Sequence, residues 1–203
     1  YAMRKSREYG VENIDYIQAD ILDLELLGKE FDIVESVGVL HHMENPLLGW
    51  KVLEHCLKPG GLMKIGLYGE VSREHIVKAR DIISQLGIGT SKKEMIEFRE
   101  YIKRSTDPVL SALKKEVDFY STSTFRDLVF HVQEHRFTAP ELYKCFNTLN
   151  LTFIGFEYPN VEEKRHSQAQ YPNWGHDSNC GSSNDLDFPT YCFWLQKPQS
   201  SYL

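Results

Sequence analysis

Residues 31–68 read FDIVESVGVLHHMENPLLGWKVLEHCLKPGGLMKIGLY, and this stretch decides the fold class. Phe31 to Val37 alternates apolar with polar side chains, the period of a strand with one buried face, and Gly38 follows at its tip. Pro46 stands where a helix can begin, because its missing N–H costs nothing in the first turn. Leu47, Leu48, Val52, Leu53, Cys56 and Leu57 then recur at helical spacing, giving an amphipathic helix. Lys58-Pro59-Gly60-Gly61 breaks that helix, and the apolar run LMKIGLY reads as a buried strand. Strand, crossover helix and strand form the unit of a parallel sheet, so the chain is α/β.

Upstream, Ala2 to Tyr9 reads as a surface helix stopped at Gly10, and Ile14 to Ala19 (IDYIQA) as a short strand delivering Asp20 at its tip. Downstream, residues 72 to 150 are helical in character, four or five helices broken near GIGTS and at Asp107-Pro108 and Ala139-Pro140. Leu151 to Tyr158 and Thr190 to Lys197 are aromatic, β-prone runs. No helical signal joins them, so they are expected to be antiparallel neighbours. Three parts follow: a core segment 1–71, a helical insert 72–150 placed to cap a ligand site, and 151–203 carrying the last two strands and a long loop, Pro159 to Asp187. No internal repeat is visible.

The 203 residues carry 29 acidic and 23 basic side chains, a net charge of -6, with 41% hydrophobic and 26% charged residues. That composition describes one soluble globular domain. No apolar run approaches the ~20 residues that span a bilayer, and no signal peptide opens the chain, so a cytoplasmic setting without membrane association is expected. The acidic balance argues against nucleic acid as a partner and favours a small molecule or a protein. Cys56, Cys145, Cys180 and Cys192 form no CxxC pair, which fits reduced thiols.

Ligands of open α/β sheets bind outside the carboxyl ends of the strands, so Asp20-Ile21, Ser36-Val37-Gly38 and Leu67-Tyr68 would share one crevice. YIQADILDL, FDIVESVGVLHHMENP and LKPGGLMKIGLY resemble successive segments of class I S-adenosylmethionine-dependent methyltransferases, the most specific part being GVLHHMENP and LKPGG with a helix between. The stretches FRDLVFHVQEHRFTAPELYKCF, LTFIGFEYPN and YCFWLQKP are also similar to bacterial methyltransferase domains found beside tetratricopeptide repeats. The resemblance implies a Rossmann-like sheet, S-adenosylmethionine as cofactor, and methyl transfer to an acceptor. It implies that Asp20 holds the adenine amino group, that Ile21 packs near the adenine, and that Ser36 and Val37 touch the methionine end.

The family's glycine-rich loop and the acidic residue after its second strand have no counterpart here. The sheet is therefore expected to lack its first two strands, leaving the Ile14 strand without a neighbour. Either the natural protein is longer at its N-terminus, or the sheet is repaired by rearrangement or by pairing with a second copy.

Glu35, His41 and His42 lie close enough in sequence to a strand tip to reach cofactor or acceptor, and Tyr68 stands where acceptor contacts arise. Asp127, His131 and His135 would share one face if their segment is helical, giving an acceptor stripe with Arg126 beside it, or simply a solvated face. His41, His42 and His131 are the candidate bases, and Tyr68, Tyr120, Arg126 and His135 the candidate acceptor contacts. A His pair at i, i+4 suits zinc, but without HExxH or cysteine support no metal is expected, and His176 with Cys180 reads as coincidence. Trp174 in the late loop can cover an acceptor pocket. A competing reading is a non-catalytic, methyltransferase-like module that binds a protein through its helical insert. A nucleotide-binding α/β protein of another kind is disfavoured by the match through GVLHHMENP and LKPGG.

Overall fold

The structure is a computed structural model, and it describes residues 1–157 and 190–199. Four strands form one sheet in the order β1-β2-β4-β3: β1 Phe31–Val37, β2 Leu57–Tyr68, β3 Thr152–Phe156 and β4 Thr190–Gln196. β1 and β2 are parallel, while β4 is antiparallel to both β2 and β3. The expected pairing of the two late strands is therefore present, and β4 is inserted between β2 and β3.

Helix α2, Pro46–His55, makes the crossover from β1 to β2. Asn45 caps it, its side chain accepting from the Leu48 N–H at 3.3 Å, and Pro46 supplies the first turn. The Lys58-Pro59-Gly60-Gly61 breaker does end the helix, but it lies inside β2 rather than before it. Leu57 already pairs with Phe31, and Gly60 absorbs the bend at φ +78°.

Helix α7, Ala139–Thr148, packs beside α2 on the same sheet face. There Trp50, Phe146 and Phe193 meet with ring centroids 5.2 to 6.1 Å apart, and Trp50 donates its indole N–H to the Met63 sulfur. Met63, Ile65 and Leu67 of β2 and Tyr191, Phe193 and Leu195 of β4 complete this core. The opposite face carries Glu35, Lys64, Cys192 and Trp194, all half-buried or exposed.

A second core belongs to the helices that follow β2: α3 Glu74–Leu86, α4 Lys92–Arg104, α5 Pro108–Ala112 and α6 Thr122–Phe130. Ile76, Phe98, Ile102, Leu110, Phe119 and Phe125 are buried within it. The sequence reading ran this insert to residue 150, but α7 joins the sheet's core through Leu142 and Phe146, so the cap's own core ends with α6.

Helix α1, Ala2–Glu8, ends before Gly10 at φ +66° as expected. Ile14 to Ala19 is not a strand. No neighbour among the described residues offers it a ladder, and Ile14, Tyr16 and Ile17 remain 44 to 62% exposed. The outer edge of β1 has no strand partner among the described residues, and Ile33 on it is 57% exposed.

β1 and β2 approach closely because Gly66 has no side chain. A Cβ there would meet Val37 Cγ1 at 2.7 Å and Val37 Cα at 3.2 Å. Gly66→Ala is expected to destabilise the fold by about 1–3 kcal/mol in urea unfolding. At Gly155, where a Cβ would meet nothing within 4 Å, the same change should not destabilise measurably.

Candidate functional site

The carboxyl ends of β1 and β2 open on the same side, and the chain leaving each supplies aromatic groups. After β1, the turn Leu40–His42 places His41 in the interior and leaves His42 half-buried. After β2 comes Tyr68. The rings form a continuous pile, with centroids 3.8 Å apart for His41 and Tyr68, 4.3 Å for His41 and His42, and 4.0 Å for His42 and His131. The Arg73 guanidinium lies 3.9 Å from the Tyr68 centroid and closes the pile at its other end.

Residues 133–137, between α6 and α7, lace this pile to the sheet. The His135 N–H donates to the His41 carbonyl at 2.8 Å, and the Phe137 N–H to the Tyr68 carbonyl at 2.9 Å. Gln133 Nε2 donates to the Met43 carbonyl at 3.0 Å. The anchor is Glu134, whose side chain is fully shielded from solvent. It accepts from Arg73 Nε and Nη2 at 3.2 and 2.6 Å and from Arg80 Nη2 at 3.0 Å. Burial alone would raise the Glu134 carboxyl, but the guanidiniums of Arg73 and Arg80 outweigh it and hold it below the ordinary carboxylate value.

Hydrogen bonds assign the tautomers. His42 Nδ1 lies 3.0 Å from the Gln133 carbonyl, which only accepts, so Nδ1 carries the proton and Nε2 keeps its lone pair. Burial, opposed by that hydrogen bond, holds the His42 imidazole below its usual value. His131 Nδ1 accepts from the Gln133 N–H at 3.3 Å, so the neutral ring bears its proton on Nε2. The strap thus sets neighbouring rings in opposite states, one as acceptor and one as donor. His41 is wholly buried with no hydrogen-bond partner for either ring nitrogen among the described residues, and burial with the neighbouring His42 pushes it down to about 4.

A cavity of about 320 Å³ lies between the Tyr68 end of β2 and the cap, lined by His42, Tyr68, Arg73, Asp127 and His131 among others. The helical stripe expected over Asp127, His131 and His135 does not exist, because α6 ends at Phe130 and His131 is already extended. Asp127 and His131 still meet at the cavity, whereas His135 does not line it. Arg126 is exposed on α6 and also lies off the cavity. Tyr120 is 64% exposed, and its hydroxyl donates to the Lys114 carbonyl at 2.8 Å, so it serves the cap rather than the crevice.

At the other side of the strand tips, Asp20 caps the turn Ile21–Leu27, its Oδ1 accepting from the Leu22 N–H at 2.9 Å. Ile21 packs against the sheet's core and reaches Gly49 on α2. Ser36 is buried with its hydroxyl unpartnered among the described residues. Val37 stands over Gly66 and is 42% exposed. Glu35 points to the sheet's other face, 3.4 Å from Lys64, and so departs from the cofactor set expected of it. His166, Trp174, His176 and Cys180 lie outside the described residues. Sequence reasoning missed Arg73, His75, Glu116 and Asp118. The first two follow directly on β2 and were open to the strand-tip rule, but the last two reach the cavity only through the folding of the cap.

The family model described as a methyltransferase domain matches residues 1–65. Two solved structures of PKMT2 from Rickettsia typhi, one in complex with AdoHcy, align with 99% of this chain at TM-score 0.65 and 14% and 15% identity. The fold of this chain is the one seen in those two structures. The likeness to domains beside tetratricopeptide repeats rests on the sequence stretches alone. An uncharacterised protein of Synechococcus sp. is 29% identical over 168 residues, 76% of this chain and 39% of its own length. The chain thus spans about two fifths of that relative's length and 41–42% of the PKMT2 chains.

Because His41 titrates near 4 in the fold and near ~6.5 when unfolded, the unfolded chain binds more protons between those values. Its contribution is full above pH ~6.5 and is lost as the pH falls towards 4, up to about 3 kcal/mol. Denaturation midpoints measured against pH should show this slope, and His41→Gln should flatten it. Glu134→Gln leaves Arg73 and Arg80 without their shared buried anion and should cost about 3–5 kcal/mol in the same assay.

Proposed function

We propose that this chain takes part in S-adenosylmethionine-dependent methyl transfer, with the methyl acceptor held in the cavity between β2 and the cap. The observation that carries the reading is the buried, unpartnered Ser36 hydroxyl at the tip of β1. Ser36 stands at the carboxyl end of β1, the end outside which an open α/β sheet binds ligands. An orphaned buried hydroxyl is costly, and a ligand polar group would satisfy it.

The residues present fit the cofactor. Asp20 keeps Oδ2 free of hydrogen bonds among the described residues and would accept from the adenine amino group. Ile21 would pack near the adenine ring. Ser36 and the Val37 backbone would take the methionine end. When bound, S-adenosylmethionine supplies a methyl group on a positively charged sulfur. The chain's own part is to place an acceptor and remove its proton. Of the three candidate histidines, His42 suits that role, since it lines the cavity and its Nδ1 proton is fixed by Gln133, which leaves the lone pair on Nε2. His131 would donate from Nε2. His41, without access to the cavity, would support the rings above it. A cytoplasmic setting and a small-molecule or protein acceptor remain part of this proposal; among the described residues no helix is long and apolar enough to cross a membrane.

The second reading is a non-catalytic module that binds a protein partner through the insert. The observation favouring it is that Val117 and Val132 are 87% and 98% exposed on that insert.

Calorimetric titration with S-adenosylhomocysteine separates the two. The expected result is micromolar binding, weakened at least tenfold by Asp20→Ser, which keeps a helix-capping hydroxyl but shortens the reach to the ligand. Absence of binding to the unmodified chain favours the non-catalytic reading.

A further inference from the structure

We infer that the contact between the turn after β1 and the strap of residues 133–135 is an acid-released latch: it stays closed only while the His41 imidazole is neutral, and protonation of His41 frees the strap from the turn while the sheet stays folded. The latch is independent of the methyl-transfer reading, since it involves the walls of the site and no ligand.

Three hydrogen bonds close it. The His135 N–H donates to the His41 carbonyl at 2.8 Å, His42 Nδ1 donates to the Gln133 carbonyl at 3.0 Å, and Gln133 Nε2 donates to the Met43 carbonyl at 3.0 Å. His41 supplies one of those carbonyls, and its ring touches both His42 and Tyr68, with centroids 4.3 and 3.8 Å away. That ring is wholly buried, and neither nitrogen has a hydrogen-bond partner among the described residues. A neutral imidazole can stay there at modest cost. An imidazolium cannot, because its charge and both of its N–H groups would be left without water or an acceptor. The titratable and charged groups that act on it are His42 on the same turn, Tyr68 from β2, Arg73 from the chain after β2, His131 at the end of α6 and Glu134 in the strap. Glu134 is the one carboxylate among them, and Arg73 and Arg80 already share it. Burial, with His42 beside it, accordingly holds the His41 ring at about 4. At higher pH the ring can take a proton only where water reaches it, so protonation and opening of the contact are one event.

The opening is local because the strap is also held by contacts that do not involve His41. Glu134 stays with the cap, since its carboxyl lies below the ordinary carboxylate value and keeps Arg73 and Arg80 while His41 titrates. Phe137 stays with the sheet. Its N–H donates to the Tyr68 carbonyl at 2.9 Å, its carbonyl accepts from the Glu70 N–H at 3.1 Å, and its side chain packs against the sheet's core. Once the strap is free of the turn, His42 loses the carbonyl that fixes its Nδ1 proton. The histidine wall of the cavity is thus ordered at neutral pH and loosened in acid.

The test is amide hydrogen exchange followed by NMR from neutral pH into acid, with rates corrected for their intrinsic pH dependence. Protection of the His135 N–H is expected to fall about tenfold for each pH unit between ~6 and ~4.5, because opening takes up one proton. It should also stay at least about tenfold below the protection of Phe137 and of Ile65 in the middle of β2, which open only with the sheet. In His41→Phe, which keeps a ring in the stack but takes no proton, His135 protection should vary less than about threefold over the same range. His41→Gln serves the same comparison where phenylalanine is not accommodated. Protection at His135 that ignores pH in the unmodified chain, one common protection factor for all three amides, or an acid response that persists in the His41 variant overturns the inference.

Discussion

A carboxylate shut away from water must find its counter-charges inside the protein, and Glu134 finds two. Its oxygens hold Arg73 from the start of the cap and Arg80 one helical stretch further on, at 2.6 to 3.2 Å. The cost of burying three charges is offset only while all three stay in place. That condition fixes residues 133–137 over the strand tips. It also fixes Arg73 against Tyr68, and through the ring pile it fixes His42 and His131. The cavity's shape and its electrostatic character are therefore set by one buried anion that does not itself line the cavity.

The sheet supplies the second constraint. β2 is its most buried strand, pairing in parallel with β1 and antiparallel with β4, and its alternate residues Met63, Ile65 and Leu67 anchor α2 and α7 on one face. Gly66 lets β1 come close enough for Val37 to lie over it, which brings the tip of β1 beside that of β2. The crevice residues are thus positioned by a rigid core, while the cavity beside Tyr68 is built from loops and the cap. That division suits a site in which one ligand is held by the sheet and another by elements with a hydrophobic core of their own.

Much of this was legible in the order of residues. The alternation of FDIVESV, Pro46 opening an apolar-striped helix, and the late aromatic strands each carry a local periodicity that survives tertiary packing. Ile14 to Ala19 shows where such reading fails. Its alternation is that of a strand, but a strand exists only if a neighbour completes its hydrogen bonds, and none does among the described residues. The helical spacing of Asp127, His131 and His135 failed for a related reason: the chain leaves the helix at Phe130 to bond with the loops after β1 and β2. The sequence nonetheless marked His41, His42, Tyr68 and His131, because strand-tip position and titratable chemistry can both be read from one dimension.

What the sequence by itself determined is the α/β class, the crossover from β1 to β2, and the strand-tip residues from which any site would be built. Those are consequences of local period, capping and turn chemistry. Only the tertiary structure decided which of those residues meet, which imidazole nitrogen is free, and that α7 belongs to the sheet rather than to the cap. It also decided that Arg73 is matched by a residue 61 positions away. These outcomes depend on distances between segments far apart in the chain, and such distances are set by the packing of two cores and by the need of one buried carboxylate for its partners.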